Sequence, residues 1–169
     1  MIKSGGMTRA MNMQQAEFQF KGLNMDADKT LAAINKSLQG TPYSLDQAAK
    51  VMASLGASGI TDPKKIQHIT SSIAGTAAMT NSSFADIGNI YTTVAANGRL
   101  MTEQLRQLSF RGMNVSAALG KQMGKSEQEI QEMVSKGKIS FNDFSNAMEK
   151  AFGEHATKST EMYTGALED

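Results

Sequence analysis

Along most of this chain apolar residues recur every three or four positions, the spacing that gathers them on one face of an α-helix. Leu31, Ile34 and Leu38 form one such stripe, begun at Asp26 and stopped at Gly40. Leu45, Ala48, Met52 and Leu55 form the next. Pro42 ends what precedes it, and Ser44 with Gln47 reads as a capping box. Asp62 and Pro63 supply an N-cap and a first-turn proline for a helix that buries Ile66, Ile69, Ile73 and Ala77. "TNSS" breaks that helix. Ser83 with Asp86 then caps one carrying Phe84, Ile87, Tyr91 and Val94, closed near Gly98.

Shorter runs follow. Thr102 starts a segment with Leu105 and Leu108 that ends near Gly112; Val115, Leu119 and Met123 make another, ending at Gly124. Ser126 and Glu129 cap a helix whose apolar face is Ile130, Met133 and Val134. At the start, an amphipathic segment from about Met13 carries Phe18, Phe20 and Leu23, whereas the Gly5-Gly6 pair upstream reads as flexible linker. The polar tail "GEHATKSTEMYTGALED" is expected to begin a further helix. No strand-like alternation and no repeat of fixed period occurs, so a solenoid is not expected. Helices below about 12 to 15 residues rarely persist alone in water. The expected fold is therefore all-α, a compact bundle of short helices joined by glycine- and Ser/Thr-capped turns. The expected organisation is a linker over 1–12, a helical hairpin over 13–40 and a globular helical domain over 41–169.

The stretch "EMVSKGKISFNDFSNAMEKAF" resembles the second half of a calcium-binding helix-loop-helix, and its side chains decide against that chemistry. With Gly137 as the sixth loop position, ligand positions one, three, five and twelve hold Glu132, Val134, Lys136 and Asp143. Val134 offers no oxygen, and Lys136 places a positive charge where the cation would sit. The plainer reading is a turn with Gly137 in a left-handed C-cap, then a capping box of Ser140 and Asp143. That box opens a helix with Phe141, Phe144, Met148, Ala151 and Phe152 at helical spacing.

Composition narrows the chemistry further. The 169 residues suffice for one well-buried domain, and 40% apolar with 20% charged residues is ordinary for a globular protein. A formal net charge of +1 creates no strong field towards nucleic acid or an anionic membrane. The absence of cysteine excludes disulfides, thiolate catalysis and cysteine-ligated zinc, without identifying a compartment. No apolar run approaches the roughly 20 residues of a membrane span, and no signal peptide is evident. The 13 methionines, against 6% aromatics and no tryptophan, read as gap filling between helices.

His68 and His155 lie far apart and lack a partner at the spacing of a zinc-binding helix. Serines and threonines fall at caps and turns without a GxSxG elbow, and neither GxxxxGK[ST] nor GxGxxG occurs. The carboxylates Glu127, Glu129, Glu132 and Glu149 were weighed as a cell-wall glycosidase pair. The first three belong to a polar, capped helix face and read as solvated surface. Between residues 99 and 138, seven basic residues face four acidic ones. The basic set is Arg99, Arg106, Arg111, Lys121, Lys125, Lys136 and Lys138; this mild excess allows at most weak DNA contact without base reading. No catalytic, cofactor-binding or metal-binding residue is assigned, and no enzymatic activity is expected.

Three segments in order carry a resemblance: "TPYSLDQAAKVMASLG", "GRLMTEQLRQLSFRGMNVSAALGKQMGKSEQEIQEMVSKGKISFNDFSNAMEKAFG" and "TGALED". With the upstream "FKGLNMDADKTLAAINKSLQGTP", they resemble the globular region of tape measure proteins of long-tailed bacteriophages, from about residue 14 to the end. The most specific motifs are "GRLMTEQLRQL" and "MVSKGKISFNDF". The resemblance implies a virion structural protein of the phage tail lumen, made in the host cytoplasm. It implies roles in tail assembly, tail-length determination and genome ejection, and a fragment of a longer chain. The implied partners are the tail tube protein, tail assembly chaperones, tail-tip or baseplate proteins and further copies of itself, with possible weak DNA contact. No cofactor, and no stable membrane insertion by this segment, comes with it.

Overall fold

The computed structural model of the chain describes residues 3–152. Among them run nine helices: α1 (Lys3–Gly22), α2 (Ala27–Leu38), α3 (Leu45–Ala57), α4 (Pro63–Thr80) and α5 (Phe84–Asn97), then α6 (Thr102–Phe110), α7 (Val115–Met123), α8 (Glu127–Ser135) and α9 (Phe141–Phe152). The fold is all-α and compact, as the periodicity predicts. The helix expected in the tail falls outside the described residues.

Local chemistry accounts for most boundaries. Asp26 accepts a bond from the Lys29 N–H at 3.1 Å to open α2, and Asp62 caps α4 with Pro63 in its first turn. Ser126 and Glu129 form the reciprocal box that starts α8, and Ser140 and Asp143 do the same for α9. Gly137 has φ +69°, the left-handed conformation its position after α8 requires. Elsewhere the expectations need correcting. Ser44 makes no capping bond to the start of α3; its hydroxyl favours the charged form of the Asp46 carboxylate instead. The first helix begins at Lys3 rather than near Met13, and runs through Gly5-Gly6. Two glycines weaken a helix by about 1 kcal/mol each, but the Met, Ala, Arg and Gln residues that follow propagate it well.

Packing places α4 at the centre. Helix α2 lies on it from one side, α5 and α9 from others, while α3 bridges α1 to α5. Ile66, Ile69, Ile73 and Ala77 are buried as their spacing predicts, but so are Thr70, Ser72 and Thr76. These hydroxyls are not orphaned. Thr70 and Thr76 donate to carbonyls one turn back at 2.7 and 2.8 Å, and Ser72 shares a hydrogen bond with the Tyr91 hydroxyl of α5. Burial pushes the Tyr91 phenol well above its ordinary pKa, so it remains neutral. Its ring packs against Phe144 of α9 at 4.9 Å between centroids. Phe20 of α1, Ile34 of α2 and Phe144 of α9 thus belong to one apolar cluster.

The second half contains two helix–loop–helix units, α5–α6 and α8–α9, whose loops pair. The Leu100 N–H donates to the Ile139 carbonyl at 2.8 Å and the Phe141 N–H to the Gly98 carbonyl at 3.3 Å. Arg99 and Ser140 form an isolated antiparallel bridge, and Leu100 and Ile139 are fully buried beneath it. Helix α7 closes this half against α8 and α9. It approaches so closely at Gly120 that an added Cβ would lie 2.5 Å from the Lys125 carbonyl oxygen.

Candidate functional site

The residues weighed for chemistry are mostly structural neighbours of one another. Glu127 accepts a bond from the Asn114 amide at 2.8 Å, Glu129 belongs to the α8 box, and Glu132 lies 3.9 Å from Lys136. Bonds from the Ser126 backbone and hydroxyl hold the Glu129 carboxyl below its usual range, as a cap should. Glu149 does find a partner that sequence reasoning missed. His68 of α4 meets its carboxylate on α9, Nδ1 to Oε1 at 2.6 Å, across 81 residues of separation. The pair straddles the α4–α9 seam at the surface and ties the two helices together. His155 lies outside the described residues.

The basic residues between 99 and 138 do not form one surface of free cations. Arg106 lies 3.9 Å from Glu103, Lys125 4.0 Å from Glu129 and Lys136 3.9 Å from Glu132, each pair along one helix. Exposed pairs like these contribute well under about 1 kcal/mol each, yet they thin the positive field DNA would feel. Arg111 donates to the Ser82 hydroxyl at 2.6 Å, which pins the end of α6 to the α4–α5 turn.

A groove of about 670 Å³ lies between α5 and α6. Its α5 wall carries Asn89, Ile90 and Thr93, and its α6 wall Gln104, Gln107 and Phe110. Asp86 and Arg111 complete the lining. Two of its residues differ in exposure. Phe110 is 83% exposed at the rim. Gln104 is only 6% exposed, and its Oε1 has no hydrogen-bond partner. Leaving a buried polar atom unpaired costs about 1–3 kcal/mol. Sequence reading registered Leu105 and Leu108 on α6 but passed over Gln104, because a glutamine beside an apolar stripe gives no local sign of burial.

Two further grooves open elsewhere. One, between α1 and α3, is lined by Phe18, Gln19, Leu23, Ala53 and Ala57. Phe18 is 80% exposed there, whereas Phe20 of the same amphipathic segment is buried. Residues two apart on a helix point to different faces. The other lies between α7 and α9, with Ala118, Ala147 and Ala151 as floor and Lys121 and Lys150 at its sides. No helix among the described residues is long and apolar enough to cross a membrane.

No curated protein and no solved structure matches this sequence. A family model does, described as "Tape measure protein", over residues 4–167. Nearly the whole chain is covered, including the paired loops, the α5–α6 unit and every helix of the core. The chain belongs to the tape measure protein family, and with it to the structural components of bacteriophage tails.

Proposed function

We propose that this chain is a compact assembly module of the tail ruler, acting through protein contacts in tail assembly, tail-length determination and genome ejection. The observation that carries this reading is the folding back of the chain. A ruler gains length at about 1.5 Å per residue only while its helix is continuous. Among the described residues the longest helix has 20 residues, about 30 Å, and the chain folds back so that α2, α5 and α9 all pack on α4. Such a segment adds little length for its residues and presents instead a fixed surface. Its setting is the tail lumen, and its partners are drawn from the tail tube, the assembly chaperones, the tail tip or baseplate and further copies of the chain. Glu127, Glu129, Glu132 and Glu149 serve caps and pairs, which favours a role through contacts.

In-frame deletion of the codons for residues 3–152 tests it. The expected result is failed or inefficient tail assembly, with any tails that form not shortened in the ratio of about 1.5 Å per deleted residue. Intact assembly with tails shortened in that ratio, as for deletion of rod-like sequence, would overturn the proposal.

A further inference from the structure

We infer that the segment from Gly153 to Leu167 docks in the groove between α7 and α9 of its own chain, with the apolar side of an amphipathic helix against it. The inference goes beyond the assembly reading, which does not say how this face of the module is covered.

The sequence of the segment divides by side. With about 100° between successive residues, Glu154, Lys158, Glu161 and Glu168 fall on one side of a helix. Met162, Tyr163, Ala166 and Leu167 fall on the other. A helix this short is marginal alone in water, so its apolar side calls for cover. The family match also extends past α9, to residue 167, and so counts the segment into the same unit as the helices before it.

Position selects the groove. Helix α9 ends at Phe152, and Ala151 and Ala147 already line one wall. Glycine comes next in the sequence, the residue type that ends α5 and α7 in the left-handed conformation at Gly98 and Gly124. Such a turn sends the chain back along the helix it has just left. The walls have the right length for the visitor. Ala118 to Gln122 on α7 and Ala147 to Ala151 on α9 each advance four residues, about 6 Å. That is the separation of residues i and i+4 on a helix, as in Met162 with Ala166 and Tyr163 with Leu167. Alanine at 118, 147 and 151 leaves the groove, about 450 Å³, open to larger side chains.

Charge favours the same choice. Residues 153–169 hold four carboxylates against one lysine, whereas residues 1–152 hold sixteen basic residues against twelve acidic ones. Lys121 and Lys150 stand at the sides of the groove, where they attract an anionic segment. The α1–α3 groove has no charged residue in its lining and no residue from α9.

The chain has no cysteine, so Gly165→Cys in the full chain takes a single nitroxide label on the charged side of the segment, away from the groove. Amide NMR is expected to show stronger broadening at Ala118, Lys121, Ala147 and Ala151 than at Phe18, Ala53 and Ala57. Adding Lys121→Glu and Lys150→Glu, both exposed positions, should remove most of that broadening at low salt. The inference is overturned if the α7 and α9 amides keep full intensity, or if those of α1 and α3 broaden in their place. It is overturned too if the double charge reversal leaves the broadening unchanged. Broadening between separately labelled and isotope-enriched chains mixed together would assign the groove to a second copy, and would equally overturn it.

Discussion

Burial alone pushes a carboxyl group towards its neutral form, yet the Asp46 carboxylate at the start of α3 titrates below its ordinary range. Burial is the largest influence on it and raises its pKa. The Ser44 hydroxyl, the Asn12 amide and backbone N–H groups together outweigh that, each donating to the charged form. Asn12 reaches Oδ2 from α1 at 3.3 Å, so the same carboxylate that sits in the first turn of α3 also ties α1 down. A carboxylate whose folded pKa is depressed stabilises the fold above its unfolded pKa, and that stability is lost as pH falls through the folded value. Asp46→Ala is expected to cost about 2 kcal/mol at neutral pH by chemical denaturation. The deficit should shrink as pH falls below about 4, where the parent's own carboxylate becomes protonated. A deficit that stayed constant through that range would refute the assignment. This detail was half legible in the sequence. Ser44 stands where an N-cap residue belongs, but the Asn12 amide that also holds Asp46 arrives from 34 residues away, beyond any local pattern.

Among the elements, the two paired helix–loop–helix units show where sequence patterns succeed and where they stop. The helices from α2 onward were legible because apolar period and a terminal breaker agree within one short window, with a side-chain cap as well except at α3 and α6. Nothing in such a window says that the loop after α5 will lie against the loop after α8. That pairing is fixed by Leu100 and Ile139, each two residues past a left-handed glycine and each fully buried. It also explains the partial resemblance to a calcium loop: the backbone geometry of glycine, then a buried aliphatic residue, is retained. The ligand positions have passed to other duties, with Val134 in the core and Lys136 beside Glu132. Ile139→Ala should therefore cost about 2–5 kcal/mol in denaturant, the range for truncating a buried isoleucine. It should also speed amide exchange at Leu100, whose N–H donates to the Ile139 carbonyl. Loss of stability without faster exchange at Leu100 would mean the loops are held by something other than this pairing. The start of α1 and the exposure of Phe18 were missed for a related reason. A helix lying on α3 buries a stripe chosen by its neighbour, and that choice took Ala16 and Phe20.

For the whole molecule, the question is whether short helices cluster into one cooperative body or string out along a rod. The central helix decides it. Helix α4 touches α2, α3, α5 and α9, so the early helices and the late helix–loop–helix units share one wall. Its Ile73 is fully buried in that wall. A body of this kind has a radius of gyration of about 15 Å for its residue count, whereas the same residues in one straight helix would span more than about 220 Å. Small-angle X-ray scattering on the chain should give a value near the first, with a profile that falls off as a compact particle does. Ile73→Ala should then lower the stability of both halves together. Near-ultraviolet signals from Tyr43, which packs on Phe84, and from Tyr91, which packs on Phe144, should be lost in a single transition at the same denaturant concentration. Two separated transitions would mean that α4 does not couple the halves.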